Sequence, residues 1–266
     1  MPITCSVEVV PSDQEKFHTI DQLVMRNVFD MHNSMGRFCD ERIYQEELAR
    51  RCRDAGFQVE REVNLQVSHR DFFKSYYLDM LINHGGLYEL KAVETINKSH
   101  EKQVINYLLL AGLRHGKLVN LRPASVESRF VSTSLCRESR ADFRLIVEEF
   151  EEATDSDQLL RKTLCALLDD WGAFLDANLY RAALLHLIDG PKAGFQPVEI
   201  AVDGFLVGSQ RMCVLDDETA WHLSAARIHL PSYETHLFRL FNHTRFKRVH
   251  WINFDQRKIT LKTLKK

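Results

Sequence analysis

The spacing of hydrophobic residues along the chain predicts a series of helices and strands. Apolar residues recur at helical spacing over 19–55, which predicts a long helix broken near Gly36. The elements predicted to follow are strands over 57–67, 77–82, 87–92 and 117–121, with a helix from 99 to 114 between the last two strands. The final strand returns to the sheet through a crossover helix, so this order predicts an α+β fold with a mixed sheet.

Further segments of the pattern divide the chain into domains. Residues 1–18 alternate only weakly, which predicts a loose arm with at most a short edge strand. A strand candidate at 126–131, a helix from about 141 to 152 and an acidic stretch through Asp157 come next. The predicted organisation is an arm (1–18), a first domain (19–131), a helical and acidic linker (132–157) and a second domain (158–266).

Ionisable side chains stand out on the strands around a predicted hairpin. Asp79 lies among Leu, Met and Ile on one strand, and Glu89 and Lys91 point to one face of the next. We expect glycine to supply the positive φ values that close the turn at 83–86. A carboxylate at such a site is costly unless it is hydrogen-bonded, paired with a cation or bound to a metal. Two converging carboxylates without sulfur or imidazole suit Mg²⁺.

A strand Asp, a hairpin, Glu-x-Lys and a helix with Gln-x-x-x-Tyr together resemble the PD-(D/E)XK nuclease superfamily. The ordered set consists of Glu41, Asp79, Glu89, Lys91, Gln103 and Tyr107. The resemblance covers about residues 21–123 and implies a restriction-endonuclease-like αβββαβ core, a three-layer α/β arrangement. Glu-x-Lys alone is a weak signal, whereas the ordered set is much more specific.

Segment 36–44 narrows the resemblance to the GxxExxY family within this superfamily. Glu41 and Tyr44 of the family's signature are in place, and Gly36 agrees with a second glycine often seen there. The glycine three residues before the Glu is replaced by Phe38. We expect that replacement to change how the helix packs rather than what Glu41 can do.

The resemblance implies a role for each residue of the set. The ligands of Mg²⁺ or Mn²⁺ would be Asp79, Glu89, the backbone carbonyl of Leu90 and, as an outer ligand, Glu41. Lys91 would position the attacking water and neutralise charge on the phosphate. Gln103 and Tyr107 would orient the phosphate or the water, because residues four apart share one side of a helix.

Each of these residues also has an ordinary structural interpretation. Glu89 and Lys91 could form a solvated ion pair worth well under about 1 kcal/mol. Asp79 could accept hydrogen bonds at a strand end, and Glu41 could be helix surface. Both tyrosines could be core aromatics with a polar tip. Each interpretation is the simpler one for its residue alone, but the ordered set favours a nuclease site.

The second half of the chain repeats the first. At an offset of 136 residues, Gly36, Tyr44 and Leu48 align with Gly172, Tyr180 and Leu184, and at an offset of 133, Leu90, Val119 and Asn120 align with Leu223, Ile252 and Asn253. The candidate site residues Glu41, Asp79, Glu89, Lys91 and Gln103 align with Ala177, Met212, His222, Ser224 and His236. We therefore predict a tandem duplication whose second copy lacks the site. Chance repetition of the αβββαβ pattern is the alternative.

Composition and charge limit the class of protein. A net charge of −2 excludes a general polycation, so nucleic acid, with DNA expected, must be bound through a local patch. The candidate patch consists of Arg245, Lys247, Arg248, Lys258 and Lys262. No apolar run is long enough to span a bilayer, the start of the chain lacks a signal-like pattern, and six scattered cysteines form no CxxC pair. These features predict a cytoplasmic protein with reduced thiols.

The leading hypothesis is a Mg²⁺-dependent nuclease with one active and one degenerate half. The degenerate half and the basic tail would hold the substrate, or would form a homodimer or bind a partner protein. The main alternative is a catalytically silent nucleic-acid-binding or assembly protein of a prokaryotic defence or mobile-element system. A third possibility is a protein-interaction module in which Glu-x-Lys is a structural ion pair.

Overall fold

The computed structural model describes residues 3–188 and 193–266. The chain divides into two compact units, one formed by residues up to 68 with 73–137, the other by 69–72 with 138–266. Each unit contains a six-stranded sheet with parallel and antiparallel neighbours. The predicted α+β class with mixed sheets is confirmed.

The first sheet is built from elements that span residues 3–132. The elements are β1 Ile3–Cys5, α1 Gln14–Met35, α2 Glu41–Asp54, β2 Val59–His69, β3 Phe72–Ile82, β4 Gly86–Lys91, α3 Lys98–Ala111, β5 His115–Asn120 and β6 Glu127–Ser132. The strand order is β1-β2-β3-β4-β5-β6. Strands β4 and β5 are parallel, as the crossover through α3 requires, whereas β3 and β6 pair antiparallel with them.

Helices cover both faces of this sheet. Val28 of α1 and Leu48 of α2 join a buried core with Tyr88 and Leu90 of β4. On the opposite face α3 packs so closely that a Cβ atom at Gly116 would lie 3.3 Å from Val104. Residues 88 and 90 therefore face α1 and α2, while Glu89 and Lys91 point to the side of α3.

The long helix predicted over 19–55 is interrupted at the predicted place. Helix α1 ends at Met35, and Gly36 has a φ of 70°, which favours glycine. The helix starts earlier than predicted because the Asp13 side chain caps it by accepting a hydrogen bond from the Lys16 backbone N–H. Helix α3 likewise starts earlier than the predicted residue 99, since Asn97 caps it and Lys98 is its first residue.

The turn between β3 and β4 corrects the prediction about glycine. Asn83 and His84 have the positive φ values, 47° and 62°, whereas neither glycine that follows does. Asn and His enter the left-handed region more easily than most residues. Gly85 is needed for another reason, because a Cβ atom there would lie 2.5 Å from the carbonyl oxygen of Val10.

The second sheet is built from the elements after residue 136. The elements are α4 Arg137–Ala141, β7 Arg144–Ile146, α5 Asp155–Trp171, α6 Ala177–Leu187, β8 Gly194–Val202, β9 Phe205–Val214, β10 Thr219–Ser224, α7 Leu230–Asn242, β11 Arg248–Asp255 and β12 Lys258–Lys265. The strand order is β7-β12-β11-β10-β9-β8. Strands β8 to β12, with α5 to α7, therefore follow the same order as β2 to β6 with α1 to α3.

The segment predicted as a helix and linker has a different structure. Residues 141–152 do not form the predicted helix, and most of the predicted linker, 132–157, belongs to the second unit. Strand β7 pairs parallel with β12, with Leu145 opposite Ile259. Pairing with a sheet edge overrides the local helical spacing, which is a common outcome for short segments.

Two expectations from composition can be compared with the structure. All six cysteines are free thiols, of which Cys52 and Cys213 are buried and Cys136 is exposed. Within 3–188 and 193–266, no helix has both the length and the apolar character that crossing a membrane requires.

Candidate active site

Three carboxylates surround the ammonium group of Lys91. Glu89 and Lys91 lie on β4, Asp79 on the neighbouring β3, and Glu41 is the first residue of α2. The Lys91 Nζ atom lies 2.8 Å from Glu89 Oε1, 3.5 Å from Glu41 Oε1 and 4.0 Å from Asp79 Oδ2. The structure thus brings together four residues from three separate elements.

This cluster is buried at Glu89, partly exposed at the other three residues, and carries more negative than positive charge. The side chain of Glu89 is 1% exposed and that of Lys91 is 12% exposed. Burial raises the pKa of Glu89, and the charges of Asp79 and Glu41 raise it further. Burial also raises the pKa of Asp79, and the charge of Glu41 adds to that shift. Burial lowers the pKa of Lys91, but the contact with Glu89 outweighs it, and the net shift is upward. An additional cation would therefore be stabilised here.

One oxygen of Glu89 points to the same conclusion. Among the residues that the structure describes, Glu89 Oε2 is buried and has no hydrogen-bond partner. An orphaned buried carboxylate oxygen is costly, and a hard cation would satisfy it. In the described part of the chain no three His, Cys, Asp or Glu side chains are arranged as a ready metal site. Two carboxylates with a backbone carbonyl and waters suffice for Mg²⁺, so the donor set fits.

Asp79 is held in place by two groups. Its Oδ2 atom accepts a hydrogen bond from the backbone N–H of Leu90 at 2.8 Å, which ties β3 to the strand of Glu89 and Lys91. The buried side chain of Gln45 also hydrogen-bonds Asp79 and lowers its pKa. Gln45 was not predicted. Its spacing of four residues from Glu41 on α2 was the only signal in the sequence.

Helix α3 adds a polar pair beside the cluster. Gln103 Nε2 donates to the hydroxyl oxygen of Tyr107 at 2.9 Å, and Tyr107 is 7% exposed. Burial raises the pKa of Tyr107, and the charges of Glu89 and Asp79 raise it further. All six residues of the predicted set therefore lie in or beside one cluster.

Two signature positions lie outside this cluster, Phe38 in the loop before α2 and Tyr44 within α2. The Tyr44 hydroxyl donates to the carbonyl oxygen of Gly36 at 2.7 Å and accepts from the N–H of Cys39 at 3.2 Å. Tyr44 is thus a core aromatic whose polar tip fixes the loop. Phe38 does not change the packing of the helix as expected, because its side chain is 77% exposed.

Three of the five residues of the predicted basic patch form ion pairs with acids of the same chain. Arg248 binds the buried carboxylate of Asp157 at 2.6 Å, and Lys262 lies 2.8 Å from Glu234 and contacts a second acid as well. Lys247 pairs with Glu218. These ion pairs offset part of the positive charge of the segment, and the binding of nucleic acid by these three residues stays a prediction. The other two predicted residues, Arg245 and Lys258, are exposed.

Comparison with known proteins gives one match. A family model described as the PD-(D/E)XK nuclease superfamily matches residues 18–131, which contain the whole predicted set. No curated protein and no solved structure was found to match the chain. The superfamily consists in general of nucleases and related phosphodiesterases, which act on nucleic acid. Residues 18–131 are therefore similar to the PD-(D/E)XK nuclease superfamily.

Proposed function

We propose that the protein is a metal-dependent nuclease that hydrolyses phosphodiester bonds in DNA at a single site in its first unit. The observation that carries this proposal is the buried cluster of Glu41, Asp79 and Glu89 around Lys91, with one Glu89 oxygen left without a partner. If Glu89 and Lys91 formed only a structural ion pair, neither the two further acids nor the unpartnered oxygen of Glu89 would be needed.

Asp79 and Glu89, with the carbonyl of Leu90, would hold Mg²⁺ or Mn²⁺, and Glu41 would be an outer ligand. A divalent ion in such a site lowers the pKa of a water and offsets charge that builds on the scissile phosphate. The orphaned Glu89 oxygen and the excess of negative charge support this set of ligands.

The protein's own groups would position the reactants. The Lys91 ammonium is fixed by Glu89 and Glu41, so it can hold a water or stabilise a phosphate oxygen with little reorganisation. Gln103 and Tyr107 would bind the phosphate or the water from the side of α3. The Leu90 N–H would keep one Asp79 oxygen in a fixed direction.

We further propose that the second unit is a degenerate copy of the first. The parallel strand pairs have the same register, since Leu90 lies opposite Val119 and Leu223 lies opposite Ile252, both at the offset of 133. This agreement supports a duplication, because two sheets with the same order of elements can still differ in the register of their strands.

Three polar contacts recur at the offsets found in the sequence. Tyr44 donates to the carbonyl of Gly36, as Tyr180 does to that of Gly172. The Asn120 side chain bonds the backbone of Val93, as Asn253 bonds that of Ala226. Lys117 contacts the carboxylate of Asp21, as His250 contacts that of Asp157. Chance repetition of apolar spacing does not account for repeated side-chain to backbone hydrogen bonds.

The positions that align with the active site have different chemistry. His222, aligned with Glu89, contacts the hydroxyl of Tyr233 at 2.7 Å. Ser224, aligned with Lys91, donates to Asn253 at 2.6 Å and accepts from Trp251 at 2.8 Å. Neutral hydrogen bonds replace the carboxylates, so this unit would bind no catalytic metal.

A cleavage assay tests the proposal. The full chain is incubated with plasmid and with single-stranded DNA in Mg²⁺ or Mn²⁺, and the Lys91→Ala variant is compared after circular dichroism has verified its fold. We expect cleavage by the wild type, at least about 100-fold less by Lys91→Ala, and unchanged cleavage by His222→Ala. Salt-dependent binding without cleavage would instead support the silent nucleic-acid-binding alternative.

A further inference from the structure

An aromatic side chain projects into solvent from the loop that precedes Glu41. Phe38 lies in the loop between α1 and α2, three residues before Glu41, and is 77% exposed. A large apolar side chain in that position gains nothing from packing inside its own fold. An exposed aromatic residue at the rim of a candidate site is instead suited to contact what the site binds.

The loop that carries Phe38 is held in a fixed position. Tyr44 binds both ends of the loop, through the carbonyl of Gly36 and the N–H of Cys39. Arg122 donates to the carbonyl of Arg37 at 3.2 Å and to that of Ala92, the residue after Lys91, at 3.3 Å. Arg122 thus links the loop to the strand end that carries Lys91, and a side chain presented by a fixed loop loses little entropy on binding.

A cation accompanies the aromatic ring. The Arg37 guanidinium lies 5.0 Å from the centroid of the Phe38 ring, and both side chains are exposed. An aromatic face next to an arginine is the combination with which proteins hold an unpaired nucleotide, because the base stacks and the guanidinium binds phosphate or the base itself. This combination has the charge and shape that nucleic acid requires.

We propose that Phe38 and Arg37 form a stacking platform for an unpaired nucleobase beside the scissile phosphate. The inference rests on the proposed nuclease function and deepens it, because it names the substrate class as nucleic acid with a single-stranded nucleotide at the cut. In a duplex both faces of each base are covered by neighbouring bases, so an aromatic side chain cannot reach them without unstacking.

Binding without metal separates this inference from catalysis. The probe is a single-stranded DNA oligonucleotide that contains 2-aminopurine, whose fluorescence is quenched by stacking, and the same sequence as a duplex is the comparison. Both are titrated with the full chain in EDTA. We expect Phe38→Ala to weaken binding to the single strand by about 5- to 150-fold and Phe38→Trp to restore it.

The chain offers a matched control. Phe195 is 43% exposed, and the Arg211 guanidinium lies 4.8 Å from the centroid of its ring, so Phe195→Ala removes the same kind of pair elsewhere. We expect that variant to bind the single strand as the wild type does. Equal weakening by Phe195→Ala and Phe38→Ala would overturn the inference.

Further outcomes distinguish the two proposals. If the wild type cleaves DNA and Phe38→Ala binds and cleaves single strands as well as the wild type, the platform is wrong and the nuclease function stands. If the wild type neither binds nor cleaves any nucleic acid in Mg²⁺ or Mn²⁺, the proposed function fails and the platform with it. A folded Phe38→Ala variant that loses only single-strand binding supports both.

Discussion

At the scale of single residues, the site consists of ionisable groups whose burial is unfavourable for the stability of the fold. Glu89 is buried with one unpartnered oxygen, and Asp79 needs the Leu90 N–H and Gln45 to stay in place. Arrangements of this kind are expected at functional sites, because groups that are chosen for binding or catalysis are seldom optimal for stability. Two substitutions test this view.

The first substitution replaces the buried charge with a neutral group of the same shape. Glu89→Gln should abolish cleavage, because the amide is a poor ligand for a divalent ion. The free energy of unfolding should be unchanged or higher, since the repulsion between the three acids is reduced. Cleavage assays and urea denaturation in EDTA measure the two effects. A strongly destabilised variant would indicate that Glu89 serves stability.

The second substitution concerns the positioning residue Gln45. Gln45→Leu should weaken the affinity for Mn²⁺ or the cleavage rate by about 10- to 100-fold, as for other groups that orient a metal ligand. Titration of activity and of metal binding separates this effect from a general loss of fold. Glu46→Ala, which removes an exposed neighbour paired with Arg61, is the control and should have little effect.

At the scale of elements, the two units use the same devices in different surroundings. Gly36 and Gly172 both follow a helix and have φ values of 70° and 74°. A Cβ atom at Gly36 would meet nothing within 4 Å, whereas at Gly172 it would lie 2.6 Å from the carbonyl oxygen of Arg140. Backbone conformation alone therefore favours glycine at residue 36. At residue 172 the nearby backbone of Arg140 also leaves no space for a side chain.

This difference predicts unequal costs for one substitution. Gly36→Ala should lower the free energy of unfolding by about 1–3 kcal/mol through backbone strain alone. Gly172→Ala should cost more, because rigid backbone atoms of Arg140 also have to move. Denaturant unfolding of the two variants gives the comparison, and a smaller cost at Gly172 would contradict it.

A buried carboxylate on α5 provides a pH dependence. Burial raises the pKa of Asp157, but hydrogen bonds from His250 and Arg248 outweigh it and hold the pKa well below its ordinary value. A carboxyl group whose pKa is depressed by folding stabilises the protein above its unfolded pKa, near 3.9, and that contribution is lost as the pH falls below about 5. The second unit should therefore lose stability in acid.

Asp157→Asn tests this assignment. Removing the charge should cost about 3–5 kcal/mol at pH 7, because Arg248 stays buried without its counter-ion. The cost should shrink as the pH falls from 5 towards 3. Glu218→Gln, which breaks an exposed pair with Lys247, should cost under about 1 kcal/mol at any pH. Equal effects of the two substitutions would contradict the assignment.

At the scale of the whole molecule, sequence patterns predicted what depends on spacing along the chain. Strand and helix order and the break near Gly36 followed from periodicity, whereas the ordered set of candidate site residues followed from the resemblance to a known superfamily. Gln45 was missed because its spacing of four residues from Glu41 is a weak signal until the fold brings its partner, Asp79, next to it. The sequence likewise does not show which acids pair with a basic residue.

The basic tail illustrates this last point. Arg248 and Lys262 looked like a free patch because their partners, Asp157 and Glu149, lie about a hundred residues earlier in the chain. Strand β7 was missed for the same reason, since its hydrogen bonds go to β12 and not to neighbours in the sequence. Contacts between distant segments decided each of these features.

Direct binding of Mn²⁺ to the full chain, followed by electron paramagnetic resonance, tests the central claim about the site most directly. We expect the wild type to bind Mn²⁺, Glu89→Gln and Asp79→Asn to lose this binding while they remain folded, and His222→Ala to retain it. Wild-type affinity for Mn²⁺ in the folded Glu89→Gln variant would contradict the account.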